Sequence, residues 1–174
     1  MDFSILNGVQ SAMRSRAMDF LMVFFTRLGE FGCVWLALAV IFLVLRKARS
    51  MGFAVVLAIA VESVLCNLIL KPAFHRVRPC DINAAVTLLI SRPADFSFPS
   101  GHAGVSFAAA AAIYMFNKKW GILAFILAAL IGFSRIYLYV HYPSDVLAGA
   151  ALGALCGVGA GLAVKRFLRR RAGQ

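Results

Sequence analysis

The chain has 174 residues, of which 62% are hydrophobic and only 14% charged. Soluble domains run nearer half apolar and a quarter charged, so a disordered chain is excluded and a soluble globule is disfavoured. Lys and Arg number 18 against 7 Asp and Glu, a net charge of +11, which in so apolar a chain points to membrane topology and anionic lipid, not to nucleic acid.

Residues 1–30 are mixed in character. Ile5, Val9 and Met13 share one helical face while Gln10, Arg14 and Arg16 lie elsewhere, which predicts an amphipathic helix in the membrane interface. Residues 1–16 lack the apolar core of a secretory leader. The run at 18–25 is too short to cross a bilayer alone.

Five apolar runs follow, at 31–45, 51–70, 103–116, 120–140 and 146–164. The second, at about 1.5 Å per residue, reaches about 30 Å, one hydrocarbon thickness. The expected fold is therefore all-α, a polytopic transmembrane helical bundle of about five spans over residues 31–164. The first and third runs are short and should tilt or borrow flanking residues. A basic tail occupies residues 165–174.

Basic residues set the expected orientation. Arg46, Lys47 and Arg49 follow the first run, Lys118 and Lys119 the third, and Lys165, Arg166, Arg169, Arg170 and Arg171 the fifth. With five spans these segments share one side, expected to be cytoplasmic and in contact with anionic lipid. The N-terminus, segment 71–101 and link 141–145 then lie together on the extracytoplasmic face of the cell membrane.

Those two outer segments hold most of the chemically capable residues. Arg78 and Arg135 can fork onto phosphate oxygens, and Lys71 adds a point charge. Pro99, Ser100, Gly101 and His102 directly precede the third run, where Ser starts a helix, Gly permits close backbone approach, and free N–H groups face an anion. His141 and Asp145 are four residues apart, so the carboxylate can fix one imidazole nitrogen while the other attacks phosphorus. His102 can protonate the leaving oxygen. Asp81, Asp95 and Asp145 are scattered and form no metal set, so neither metal nor other cofactor is expected.

Taken together, Lys71, Arg78-Pro79, Pro99-Ser100-Gly101-His102, Ser134-Arg135, His141 and Asp145 resemble the three-part signature of the type-2 phosphatidic acid phosphatase superfamily in order and spacing. The resemblance implies a phosphatidic acid phosphatase/haloperoxidase-like bundle. His141 would form a phosphohistidine, Asp145 would orient it, and His102 would be the general acid. Lys71, Arg78, Ser100, Gly101 and Arg135 would bind the phosphoryl group. The small size is similar to the bacterial undecaprenyl-diphosphate phosphatases of that superfamily, though those often carry Asp where this chain has Gly101. The expected substrate is thus undecaprenyl diphosphate. Phosphatidylglycerophosphate, phosphatidate and lipid A are alternatives. A vanadate haloperoxidase shares such a site but is soluble, unlike this chain. A non-enzymatic lipid-binding protein or transporter would keep its function without His141.

Other residues are given plainer readings. Cys33, Cys66, Cys80 and Cys156 are read as small fillers. His75 reads as a solvated loop histidine, with contact to a second phosphate as the alternative, and Arg76 and Arg92 as interfacial charges, with contact to a diphosphate or anionic headgroups as the alternative. Glu62 lies inside the second run and is read as a protonated or hydrogen-bonded packing contact, with proton handling as the alternative. Asn67 reads as interhelical glue. Tyr137, Tyr139 and Tyr142 are expected in an interfacial aromatic belt. Gly149, Gly153, Gly157 and Gly161 form a stripe that admits a neighbouring helix of the bundle, with a homodimer seam as the alternative.

Overall fold

Short local signals set the helix ends. In the computed structural model, which describes residues 2–172, the order is α1 (Asp2–Met13), α2 (Arg16–Leu28), α3 (Cys33–Val44), α4 (Arg49–Ser63), α5 (Lys71–Phe74), α6 (Pro79–Ile82), α7 (Gly101–Phe116), α8 (Lys118–Tyr137) and α9 (Pro143–Ala172). The Ser15 side chain accepts from the Met18 amide and starts α2. Asn117 accepts from the Trp120 amide and divides α7 from α8. Gly32 has φ of +68°, a left-handed turn that a side chain would strain, and it swings the chain into α3.

The expected all-helical membrane bundle is what forms. Three stretches are long and apolar enough to cross a bilayer, namely Arg46–Ile82, Lys118–Tyr137 and Pro143–Arg171. The α2 and α3 helices, bent by 49°, together make a fourth. The α7 helix is apolar but has only 16 residues, about 24 Å at 1.5 Å per residue. It is also the most enclosed helix, packed among α4, α8 and α9, so it needs no long lipid-facing surface. The α9 helix starts before the apolar run and carries the basic tail along its last turns.

The glycine stripe explains the tightest packing. A β-carbon at Gly149, Gly153 or Gly157 would collide with the carbonyl oxygens of Ser100, Gly104 and Ala108, and one at Gly161 would lie 2.8 Å from the Met115 Cβ. These pairings run in the same order along both helices, so α7 and α9 are parallel and start at the same end. The stripe is therefore filled by α7 of the same chain, and the face considered for a second copy is not free.

The α4 helix passes through a wider π-helical turn, Val64–Leu70, into α5, which delivers Lys71 to the end where α7 and α9 begin. Chain order therefore puts the basic connections and tail at the opposite end. There Lys165 donates to the Met115 carbonyl.

Two apolar clusters hold the bundle. The larger joins Trp35, Ala58, Ala109 and Ile131 with their neighbours, and Trp35 Nε1 donates to Ser106 Oγ at 2.9 Å inside it. The smaller joins Leu6 and Met22 to Tyr137, Tyr139 and Tyr142 beneath the site end. This corrects the aromatic belt. All three tyrosines are buried, because α1 and α2 cover them. Tyr137 donates to Asp19 at 2.6 Å and Tyr139 to Asn7 at 2.8 Å, which satisfies the hydroxyls that burial would otherwise strand.

Candidate active site

The sequence-predicted residues converge at one end of the bundle. Lys71, Arg78, Gly101, His102, Arg135 and His141 line a cavity of about 1160 Å³. Ser100 and Asp145 lie behind its wall, fully buried. The Ser100 amide donates to the Asp145 carbonyl at 3.0 Å, which ties the start of α7 to the start of α9. The Ser100 hydroxyl is buried without a hydrogen-bond partner among the described residues.

Arg78 is the organising cation. It is 2% exposed and precedes Pro79, which starts α6. Its Nε and one terminal nitrogen donate to the Asp95 carbonyl and carboxylate at 2.8 and 2.7 Å. The other terminal nitrogen donates to the Val140 carbonyl at 2.7 Å and lies 3.1 Å from His141 Nε2. Arg135 approaches from α8, donates to Thr26 Oγ1 at 2.5 Å, and leaves its Nε without a partner among the described residues. Lys71 is bonded to the Asp95 carboxylate.

His141 sits in the link between α8 and α9, with 2% of its surface exposed. Its Nδ1 faces Asp145 Oδ2 and Ser97 Oγ, each at 3.5 Å. Asp145 is held harder than the histidine is. Its Oδ2 accepts from Ser97 Oγ at 2.5 Å and from the Tyr142 amide at 3.0 Å. Its Oδ1 accepts from Arg76 at 2.5 Å. Burial, and then the charges of Arg78, Arg135 and Lys71, push the His141 pKa well below the ordinary imidazole value. At neutral pH it is therefore an uncharged imidazole beside a cluster of cations.

Burial alone would raise the Asp95 pKa. The hydrogen bond and charge of Lys71, reinforced by Arg78, override it and hold the carboxyl at about 2.

Ser97 and Asp95 carry no site signal in the sequence, and Arg76 reads there as an interfacial charge or a contact to a diphosphate or headgroup. Arg76 instead bridges Asp145, Ser144 and Asp2, the last at 2.8 Å, and lies 4.0 Å over the Tyr142 ring. No local signal marks Ser97, whose partner is 48 residues away. Arg92 does behave as a surface charge, paired with Asp81 at 2.9 Å. His75 packs edge-on against Phe96.

Asn67 donates to the Ser63 carbonyl of its own helix at 3.1 Å, not across helices. Glu62 is fully buried against Gly104, with neither oxygen hydrogen-bonded among the described residues.

Known proteins share this pattern. The profile of the PAP2 superfamily matches residues 47–169. An undecaprenyl-diphosphatase of Sulfolobus acidocaldarius is 33% identical over 87% of this chain and 71% of its own length. The crystal structure of Aquifex aeolicus LpxE superposes with a TM-score of 0.80 at 32% identity, covering 91% of this chain and 93% of that one. A PAP2-type phosphatidylglycerolphosphate phosphatase from Bacillus subtilis superposes with a TM-score of 0.72 at 28% identity, covering 97% of this chain and 85% of that one.

Proposed function

The chain belongs to the PAP2 superfamily of membrane lipid phosphatases, and from that premise we propose that it hydrolyses a polyprenyl diphosphate through a phosphohistidine on His141. The observation that carries this reading is the buried His141, with Nε2 toward Arg78 and Nδ1 toward Asp145. The nitrogen that would attack is the one beside the cations.

His141 Nε2 attacks phosphorus, and the bond from phosphorus to the lipid-side oxygen breaks. Lys71, Arg78 and Arg135 bind the phosphoryl oxygens with the free amides at the start of α7, and they stabilise charge that grows in the transition state. His102, protonated once the phosphoryl dianion offsets the surrounding cations, donates that proton to the leaving oxygen. Water then attacks phosphorus and gives its proton back to His102, and orthophosphate leaves His141 free. Asp145, 3.5 Å from Nδ1, favours the proton on that nitrogen and so the tautomer whose Nε2 lone pair is available. No step draws on a metal ion.

Undecaprenyl diphosphate is the substrate best supported. The Sulfolobus relative carries that activity in its name. The cavity also extends past the cradle, where Arg27, Glu30 and Arg92 line it, which leaves room for a second phosphate. Phosphatidylglycerophosphate is the second reading, favoured by the Bacillus subtilis structure. The basic end opposite the site supports an extracytoplasmic active site.

The test is phosphate release by purified protein in detergent with EDTA. Undecaprenyl diphosphate, phosphatidylglycerophosphate and phosphatidate are compared by kcat/KM. The diphosphate should lead, with rates unchanged by EDTA. Preference for a monophosphate lipid overturns the substrate, and loss of activity in EDTA overturns the metal-free mechanism.

Arg76 supplies a subtler expectation. Arg76→Ala removes a donor from Asp145 and should lower kcat roughly tenfold to a hundredfold, with KM little changed, because a small misplacement of a reacting group is costly. Asp2→Asn loosens only the tie to α1 and should cost far less. Equal losses in the two variants would show that Arg76 works by pinning α1.

A further inference from the structure

Two of the three cradle cations are already engaged by an anion of the chain itself. The Asp95 carboxylate puts one oxygen on Lys71 and the other on Arg78, the latter at 2.7 Å. Two oxygens on two cations is the arrangement a phosphoryl group would adopt there. Asp95 also lines the cavity. A phosphoryl group that reaches Lys71 and Arg78 must therefore take their hydrogen bonds from Asp95.

The three groups differ in freedom. Lys71 and Arg78 are buried, whereas the Asp95 side chain is 53% exposed. Arg78 has other anchors, donating to the Val140 carbonyl and to the Asp95 backbone carbonyl. Asp95 lies two residues before Ser97, whose amide donates to the Arg76 carbonyl at 2.8 Å and whose hydroxyl is fixed on Asp145. The carboxylate can thus turn into water by side-chain rotation while the loop behind it stays pinned. Lys71 has no other partner among the described residues.

We propose that Asp95 is a built-in competitor for the phosphoryl site, displaced from Lys71 and Arg78 when substrate binds and returning to them to expel orthophosphate. This rests on the phosphatase reading of the cradle. Two anions on the same pair of cations repel, so Asp95 weakens binding of substrate and product alike. The hydrolysed phosphate, no longer held by its lipid, is the species this competition most readily clears. Asp95 is a positioning residue that acts through Lys71 and Arg78.

The test is Asp95→Asn in the full chain, with Asp95→Glu beside it. Orthophosphate binding is measured directly by calorimetry in detergent, and KM and kcat are measured on the lipid substrate. The Asn variant should bind orthophosphate about tenfold tighter, with KM lowered and kcat lowered as product release slows. The Glu variant, which keeps the charge, should stay within about twofold of wild type. A merely structural Asp95, holding Lys71 and Arg78 in posture, predicts the reverse, since the Asn cradle would loosen. Unchanged or weaker orthophosphate binding in the Asn variant overturns the proposal while wild type still binds. Failure of wild type itself to bind orthophosphate overturns the cradle reading, and the proposal with it.

Discussion

His141→Ala should lower kcat by about 10⁴-fold or more, the size of loss seen when a covalent nucleophile is removed. At about 1.36 kcal/mol per decade, that is roughly 5 kcal/mol of transition-state stabilisation. Orthophosphate should still bind, because the cations belong to other elements. Arg78 stands before α6, Arg135 on α8 and Lys71 at the start of α5. Loss of turnover with retained binding separates a nucleophile from a packing residue. Full turnover in the variant would sink the phosphohistidine, and lipid binding or flux unchanged by the substitution, with no turnover in wild type, would favour a lipid-binding or transport role.

His141 also carries a pH signature. Its folded pKa lies well below the ordinary 6.5, whereas the unfolded chain takes up the proton near 6.5. Below that pH the unfolded state binds more protons, so stability falls as the medium is acidified. The melting temperature of wild type should therefore drop below about pH 6.5, and that of His141→Ala should drop less steeply. Parallel acid limbs in the two proteins would contradict the buried, uncharged imidazole.

The second large effect is on the fold. Gly153→Ala places a β-carbon inside contact distance of the Gly104 carbonyl oxygen and 2.9 Å from the Ala108 amide nitrogen. Both obstacles are backbone, so α7 and α9 must separate along their whole contact. Overpacking of this kind costs about 3 kcal/mol or more, which lowers the melting temperature by roughly 10 °C for a chain of this size. Activity should fall too, because α7 carries Gly101 and His102 while α9 carries Asp145.

Gly159 lies on the same helix but has nothing within 4 Å of its would-be β-carbon. Gly159→Ala should be neutral or slightly stabilising, by up to about 1 kcal/mol of helix propensity. Thermal melts in detergent decide between the two positions. Equal destabilisation would mean that close approach to α7 does not set the cost of a side chain on α9.

Much of this protein is determined by its sequence alone. Apolar runs of span length force helices, because a bilayer offers no partner for unpaired backbone groups. Cations and histidines at the ends of those runs must meet at one depth, since each helix starts or stops at the membrane surface. Lys71, Arg78, His102, Arg135 and His141 were legible on that ground, and the cavity they line is where the runs end. The glycine stripe also announced a close helix contact.

What the sequence could not carry was the partner of each group. Which helix fills the stripe depends on the parallel pairing of α7 and α9. The burial of Tyr137, Tyr139 and Tyr142 depends on α1 and α2 folding back over them. Arg76 meets Asp145 across 69 positions, and Asp95 reaches Lys71 across 24. Such pairings leave no periodic or local trace, because a hydrogen bond constrains distance in space and not spacing in the chain. Tertiary structure therefore decided which arginine holds Asp145 and which carboxylate sits on Lys71 and Arg78.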